Sequence, residues 1–420
     1  MAKPGTLPRI KMPANMYPLF VLIILYYAEL LACGAAAALE TAVGMLAITV
    51  VISVAQLAVT AALRMRIIYL RIGGGRVLKR GVSGGRVWAV CVLPIVCVAV
   101  GFPRPARVAR DVRTISAVVL AVEVAGGTVG ATVVLHGASA PFFAMSIALL
   151  IAAQFMARAP ESGRLLAARL FRPPTADRDP LLAVPTAAIA NHAVFDVHFG
   201  DLTAARTTLE QWSGAQTHRS AGDDVGFSMA ILSMEILAAE GRFAEAAQVP
   251  MPAPEFEALH PTVRFARRSA YSARVAKCLT LAAESPAGMD AATGQRVLHH
   301  LEQAAHGPTA AGQEREGRSL YALAVGDIKV AAREARIMTA RARTPLMLAN
   351  AYCTQARVAA AQGKHAHARR LLAKANSVAP WYPRIAAVNG IITSPHPATA
   401  ILPPPGAPTD HLFADPWSTQ

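Results

Sequence analysis

From Tyr17 to Leu63 the only charged side chains are Glu29 and Glu40, an apolar run too long for the core of a soluble domain. At about 20 residues per crossing it holds two membrane spans. It predicts them at 17–39 and 42–63, with Glu40 and Thr41 in the short turn between. A second stretch, Thr114 to Ala157, carries Glu123 alone, and Gly137–Ser139 divides it into spans at 114–136 and 140–157. Composition agrees: of 420 residues 54% are hydrophobic and 16% charged, against about 25% charged in a soluble domain. A cleaved signal peptide is the competing reading of the first span. That run outlasts an ordinary signal core, and another span follows at once.

Topology follows from the cations, because Lys/Arg-rich loops stay on the cytoplasmic side. Lys3, Arg9 and Lys11 precede the first span without an acid in residues 1–16. Residues 64–113 hold eleven Lys/Arg against the single Asp111, and Arg158, Arg164, Arg169 and Arg172 follow the last span. Neither outer turn carries a cation. The chain therefore reads as a multi-pass protein of the inner or plasma membrane with both termini cytoplasmic. Most of the net charge of +15 is then a topology signal and a contact for anionic lipid head groups, with no nucleic acid required. Five scattered cysteines without a CxxC pair exclude a disulfide scaffold or zinc ribbon. Glu29 and Glu123 fall at membrane depth, where an acid marks either a functional site or a helix contact. Sequence spacing identifies no partner for either.

Within the basic loop, residues 65–72 alternate as a strand, and Gly73, Gly74 and Gly75 permit positive φ and a sharp reversal. Residues 86–100 form a valine-rich run interrupted by Pro94, strand material or a re-entrant segment at the membrane surface. A small β-hairpin insertion is expected. A phosphate-binding loop at Gly73–Gly75 is disfavoured, since no GKS/T follows.

The order of these features resembles the site-two protease family of intramembrane zinc metallopeptidases. It is carried by a span followed by Ile72-Gly73-Gly74-Gly75-Arg76-Val77-Leu78, then Leu93-Pro94, a helical hairpin, and Pro160-Glu161-Ser162-Gly163-Arg164-Leu165-Leu166. The resemblance covers residues 42–175. It places the HExxH motif on Ile52-Ser53-Val54-Ala55-Gln56 and the aspartate ligand on Ser162. A catalytic zinc takes three protein ligands and an open position for water, and Ile52, Gln56 and Ser162 supply neither imidazole nor carboxylate. The alternative register, Ala28-Glu29-Leu30-Leu31-Ala32, keeps a glutamate between alanines and lies a whole span too far from the glycines. His136, at the outer end of the third span, reads as a solvated residue. The resemblance thus implies a pseudoprotease without catalytic residues or cofactor. An active metalloprotease with zinc held by other ligands is the alternative, and a small transporter using Glu29 and Glu123 is a third class.

After Arg172-Pro173-Pro174 the chain becomes an alanine-rich series of amphipathic helices, 173–390. A Gly-polar-x-x-x-Ala element recurs at Gly200 to Ala205, Gly241 to Ala246, Gly326 to Ala331 and Gly363 to Ala368, and Pro380 closes the last copy. A less regular helix pair at 261–284 and 293–305 fills the wide gap, and Pro250 and Pro252 cut the second copy short. These intervals resemble tetratricopeptide repeats with lengthened turns, which implies a concave face that binds a protein partner. An irregular helical bundle is the alternative. Arg264, Arg267, Arg268 and Arg274 form a candidate basic stripe on one helix. His192, His198, His260, His299, His300, His365 and His367 are too dispersed for a metal site, and Cys278 and Cys353 read as small core residues. Residues 391–420 read as a disordered Pro-rich tail, whose Leu412-Phe413 and Trp417 offer a short linear motif. The expected fold is mainly α: a four-span membrane domain (17–172) with a β-hairpin insertion, then a cytoplasmic helical-repeat domain.

Overall fold

The computed structural model describes residues 17–102, 107–134, 137–156, 158–159, 163–164, 170–171, 185–214, 225–251, 261–284, 289–305 and 314–394. The chain is mainly helical, and two of its helical stretches, Val21–Ala62 and Val108–Thr132, are long and apolar enough to cross a membrane.

Helix α1 (Tyr17–Ala62) is broken at Gly34, where φ is 87° and ψ is 173°. Only glycine enters that region readily. Thr41 Oγ1 donates to Glu29 Oε1 at 2.6 Å, although residues twelve apart in a straight helix lie about 18 Å from each other. The helix is therefore folded sharply into arms 17–33 and 35–62. This corrects the expected turn at Glu40 and Thr41, which are both helical. Polar residues do not break a helix, whereas a glycine at positive φ does.

Helix α2 (Val108–Val129) begins six residues before the expected span start at 114 and ends in a π-turn, Gly130–Val134. Helix α3 (Ser139–Met156) lies close to its expected bounds. Close approach is built from glycine. A Cβ on Gly127 would come within 2.7 Å of Ile147, and one on Gly126 or Gly130 would run into Ile48 or Phe143. Ile48, Phe143 and Ile147 form the buried centre where α1, α2 and α3 meet.

Strand β1 (Arg66–Ser83) and strand β2 (Arg86–Phe102) form one antiparallel hairpin. Its sharp reversal is at Gly84 and Gly85, with φ of 56° and 73°, not at Gly73–Gly75 as expected. Gly73 and Gly75, with φ of 94° and 75°, bend β1 in mid-course instead. Residues 69–72 pair on one edge with 97–100 and on the other with 87–90, so the hairpin is folded over upon itself. Ile68, Tyr69, Val87 and Ala89 then form a core with Ala342 and Leu348 of the helical half. Two short strands, β3 (Arg158–Ala159) and β4 (Gly163–Arg164), pair with each other.

In the helical half, α4 (Pro185–Phe199) and α5 (Leu202–Gly214) turn at Gly200, and α6 (Val225–Ala239) and α7 (Phe243–Ala246) at Gly241. Helices α8 (Pro261–Ala282) and α9 (Ala291–Ala305) form the intervening pair. Helices α10 (Glu314–Ala324) and α11 (Ile328–Arg341) turn at Gly326, and α12 (Pro345–Ala361) and α13 (His365–Val378) at Gly363. All four glycines have φ between 74° and 89°. At each turn the glycine N–H bonds the carbonyl three residues back, and the next N–H reaches five residues back, as in Asp201 N to Asp196 O at 2.9 Å. This is one helix-ending motif used four times. Five residues after each glycine, Ala205, Ala246, Ala331 and Ala368 are all fully buried. Helix α14 (Arg384–Thr393) carries the chain past the expected boundary at 390, so Ile391 to Thr393 are its last turn.

The series does not extend as an open stack. Val197, Leu232 and Ile236 from the first two units share one core with Cys353, Leu372 and Val388 from the last. In an open solenoid only neighbours would touch.

Candidate functional site: a trough floored by a buried ion network

The segment Trp381–Arg384 enters the interior of the helical half. A Cβ on Gly200 would come within 2.6 Å of Trp381, and one on Gly241 within 3.3 Å of Pro383. Tyr382 donates to Asn350 Oδ1 at 3.0 Å. The Arg384 side chain is wholly buried and grips Glu284 with Nε and Nη2 at 2.7 and 3.1 Å. Its Nη1 reaches Glu316 at 3.1 Å and the Asn350 carbonyl at 3.0 Å, and Nη2 reaches Thr354 Oγ1 at 3.0 Å. Asn350 bridges to Glu316 as well. One guanidinium thus ties the end of α8 to α10 and α12.

The ions continue on both sides. Arg357 lies 3.2 Å from Glu284, and Lys277 lies 3.6 Å from Glu316. Glu235 takes Arg274 at 2.8 Å and His198 Nε2 at 3.5 Å, while His198 Nδ1 meets Thr344 Oγ1 at 3.2 Å. Burial alone would raise the Glu235 carboxyl, but Lys277, His198 and Arg274 hold it well below the usual range. Burial likewise opposes charge on Lys277, and Glu316 and Glu235 overcome it, so that its pKa is raised. Buried charges persist when paired and hydrogen-bonded in this way.

Beside this network lies a trough. Helix α7 is only four residues long, whereas α5, α11 and α13 run thirteen or fourteen; at the end of α8 beside it Ala282 is exposed, while Leu279 and Leu281 are buried. Two cavities of about 330 Å³ each flank α7. The first is lined by Arg242, Phe243, Glu245, Leu281, Glu284 and Arg384, and the second includes Gln248, Leu279, Asp290, Thr293 and Arg296. Ala244 and Ala282 line both. Exposed Arg242 is shared between Glu245 and Glu240, and Asp290 caps α9 through the Thr293 N–H at 2.9 Å. The trough thus mixes apolar lining from Phe243, Leu279 and Leu281 with charged lining from Arg242, Glu284, Arg296 and Arg384.

The positions matched to the zinc motif lie on the second arm of α1. Ile52 packs on the Phe143–Ile147 cluster, Ser53 donates to the Thr49 carbonyl at 2.8 Å, and Gln56 is half-buried. Ser162 and His136 lie outside the described residues, so the convergence of Ile52, Gln56 and Ser162 is not visible. Among the described residues no three His, Cys, Asp or Glu side chains gather as a metal site.

The two acids of the apolar helices have partners that spacing did not reveal. Glu29 is bonded by Thr41 across the Gly34 fold, with Glu40 taking the Ser139 hydroxyl at 2.7 Å nearby. Glu123 is bonded by Gln154 of α3. Both join helices. The expected basic stripe is divided: Arg267 is buried with its guanidinium over the Phe227 ring at 5.0 Å, and Arg274 is turned inward to Glu235. Cys278 and Cys353 are core residues as expected, and burial pushes each thiol up to about 12. Sequence reading missed Arg384, Glu284, Glu316 and Asn350, and took His198 only as one of the dispersed histidines, without its contacts to Glu235 and Thr344. Only the polar character of Asn350 and Thr354 within an apolar helix pointed to them.

No family model, curated protein or solved structure matches the chain.

Proposed function

We propose that this chain is an integral membrane scaffold or regulator, a non-catalytic relative of the site-two proteases, whose tetratricopeptide-like helical half binds a protein partner in the α7 trough. The membrane domain crosses four times, with the N-terminus, hairpin and helical half in the cytoplasm. The length of α1 supports this. Val21–Ala62 spans 42 residues, about 63 Å of helix, twice what one crossing of a core of about 30 Å requires. The break at Gly34 divides it in two, and α2 and α3 form the second pair. The repeat reading is supported by four identical glycine turns, each followed by a fully buried alanine.

The observation that carries the partner is the trough itself, two cavities beside a four-residue α7 in a series whose other second helices among the described residues run thirteen to fifteen residues. Encoding a photo-crosslinking amino acid at exposed Ala244 should give one discrete adduct in cells, and the same probe at exposed Lys374 should not. Equal adducts at both positions, or none at Ala244, would remove the trough from the proposal. One zinc per purified chain, with peptide cleavage that a chelator stops, would remove the non-catalytic assignment.

A further inference from the structure

Both turns of the apolar helices meet at one end of the bundle. Glu29 stands five residues before the break at Gly34 and Glu40 six after it, while Ser139 is the first residue of α3. The Ser139 hydroxyl donates to Glu40 at 2.7 Å. Thr41 Oγ1, which donates to Glu29 at 2.6 Å, also lies 3.5 Å from the Ser139 carbonyl. The β-hairpin leaves from the opposite end of α1, about 30 Å away.

Two carboxylates share this end, and the helices bring no lysine or arginine to it. The sequence has neither between Met12 and Leu63 or between Thr114 and Ala157, and the one base there, His136, lies outside the described residues. Glu29 is wholly buried, and its Oε2 has no hydrogen-bond partner among the described residues. Burying a carboxylate oxygen with neither partner nor counter-charge is costly. Glu123 also leaves one oxygen unpartnered, but there a single carboxylate faces one amide. At the folded end two carboxylates, two hydroxyls and a backbone carbonyl converge, an all-oxygen set of the kind hard cations take. Glu40 is exposed, which opens one side for entry and for water ligands. The donors come from three helical segments, an irregular set that calcium tolerates and magnesium, which demands near-ideal octahedral geometry, does not.

We propose that the Gly34 end of the bundle is a binding site for a hard divalent cation of calcium type, held by Glu29 and Glu40 together with the Thr41 and Ser139 oxygens. The ion neutralises the two acids and clamps both arms of α1 to the start of α3. The site rests on the helix contacts; that it faces away from the cytoplasm rests on the four-crossing reading above.

The test uses the full chain in detergent, with terbium as a luminescent substitute for calcium and calcium as its competitor. Tyr26 and Tyr27 precede Glu29 by three and two residues and serve as sensitisers. Saturable luminescence that calcium displaces is expected. Glu29→Gln or Glu40→Gln should weaken calcium binding by about tenfold or more, and Glu123→Gln should leave it unchanged. Ser139→Ala, which deletes one hydroxyl, should weaken it to a smaller extent, and decides the matter if a glutamate variant loses helix by far-UV circular dichroism. Calcium affinity unaltered in the variants that keep their helices, or terbium luminescence that calcium does not displace, overturns the site. Melting that ignores calcium yet shifts with pH, the shift being erased by Glu29→Gln or His136→Gln, identifies a proton as the counter-charge and also overturns it. In sealed vesicles whose helical half faces inward, an impermeant chelator added outside should strip the ion. If it does so only after detergent opens the vesicles, the site stands and the four-crossing reading falls.

Discussion

Replacing Arg384 tests whether one guanidinium holds the helical half closed. In Arg384→Leu, Glu284 loses a two-pronged partner at 2.7 and 3.1 Å, Glu316 loses one at 3.1 Å, and the Asn350 carbonyl and Thr354 hydroxyl lose donors at 3.0 Å. Breaking a buried ion pair from one side costs about 3–5 kcal/mol. Arg357 at 3.2 Å and Lys277 at 3.6 Å remain, which places the expected loss at the lower end, about 3 kcal/mol. Trp212 and Trp381 both lie in this half, so tryptophan fluorescence during urea unfolding of the full chain in detergent reports it. With a slope near 3 kcal/mol per molar, the midpoint falls by about 1 M. Arg384→Lys should recover part of the loss, because it restores the charge without the planar fork. A loss under about 1 kcal/mol, well below the cost of a broken buried pair, would refute the network as the tie.

Two further outcomes follow from the turns and the charges. Gly200 and Gly363 share positive φ, but a Cβ at Gly200 meets Trp381 at 2.6 Å while nothing lies within 4 Å of one at Gly363. Gly363→Ala should cost about 1 kcal/mol from backbone strain alone, and Gly200→Ala roughly 2–3 kcal/mol once the overpacking is added. Equal melting shifts would contradict the packing of Trp381 on the first turn. Glu235 is held below its ordinary pKa of 4.5, burial opposing and Lys277, His198 and Arg274 prevailing. Its stabilisation is complete above that value and is lost as pH falls beneath it. Far-UV circular dichroism of Glu235→Gln should show lower stability at pH 7 and a smaller further loss on going to pH 3 than the unaltered chain.

The apolar run from Tyr17, the basic loop and the four glycine–alanine elements were legible because each rests on a local property: hydropathy, charge, or the conformation only glycine adopts. The place of the first break was not. Glu40 and Thr41 looked like a turn because they are polar, yet they continue the helix, and Gly34 bends it. The hairpin was legible as two strands, while the choice between Gly73–Gly75 and Gly84–Gly85 for the reversal depended on which pairing buried Ile68 and Val87 against Ala342 and Leu348.

By itself the sequence determined the long apolar stretches, the basic loop between them and the repeated helix turn, since hydropathy, charge and φ preferences act over a few residues. Only the tertiary structure decided that Arg384 reaches Glu284 and Glu316, that Glu29 joins the two arms of α1 and Glu123 joins α2 to α3, and that two cavities flank α7. Those depend on which residues a distant part of the chain brings within about 3 Å, the range over which a hydrogen bond is made or lost.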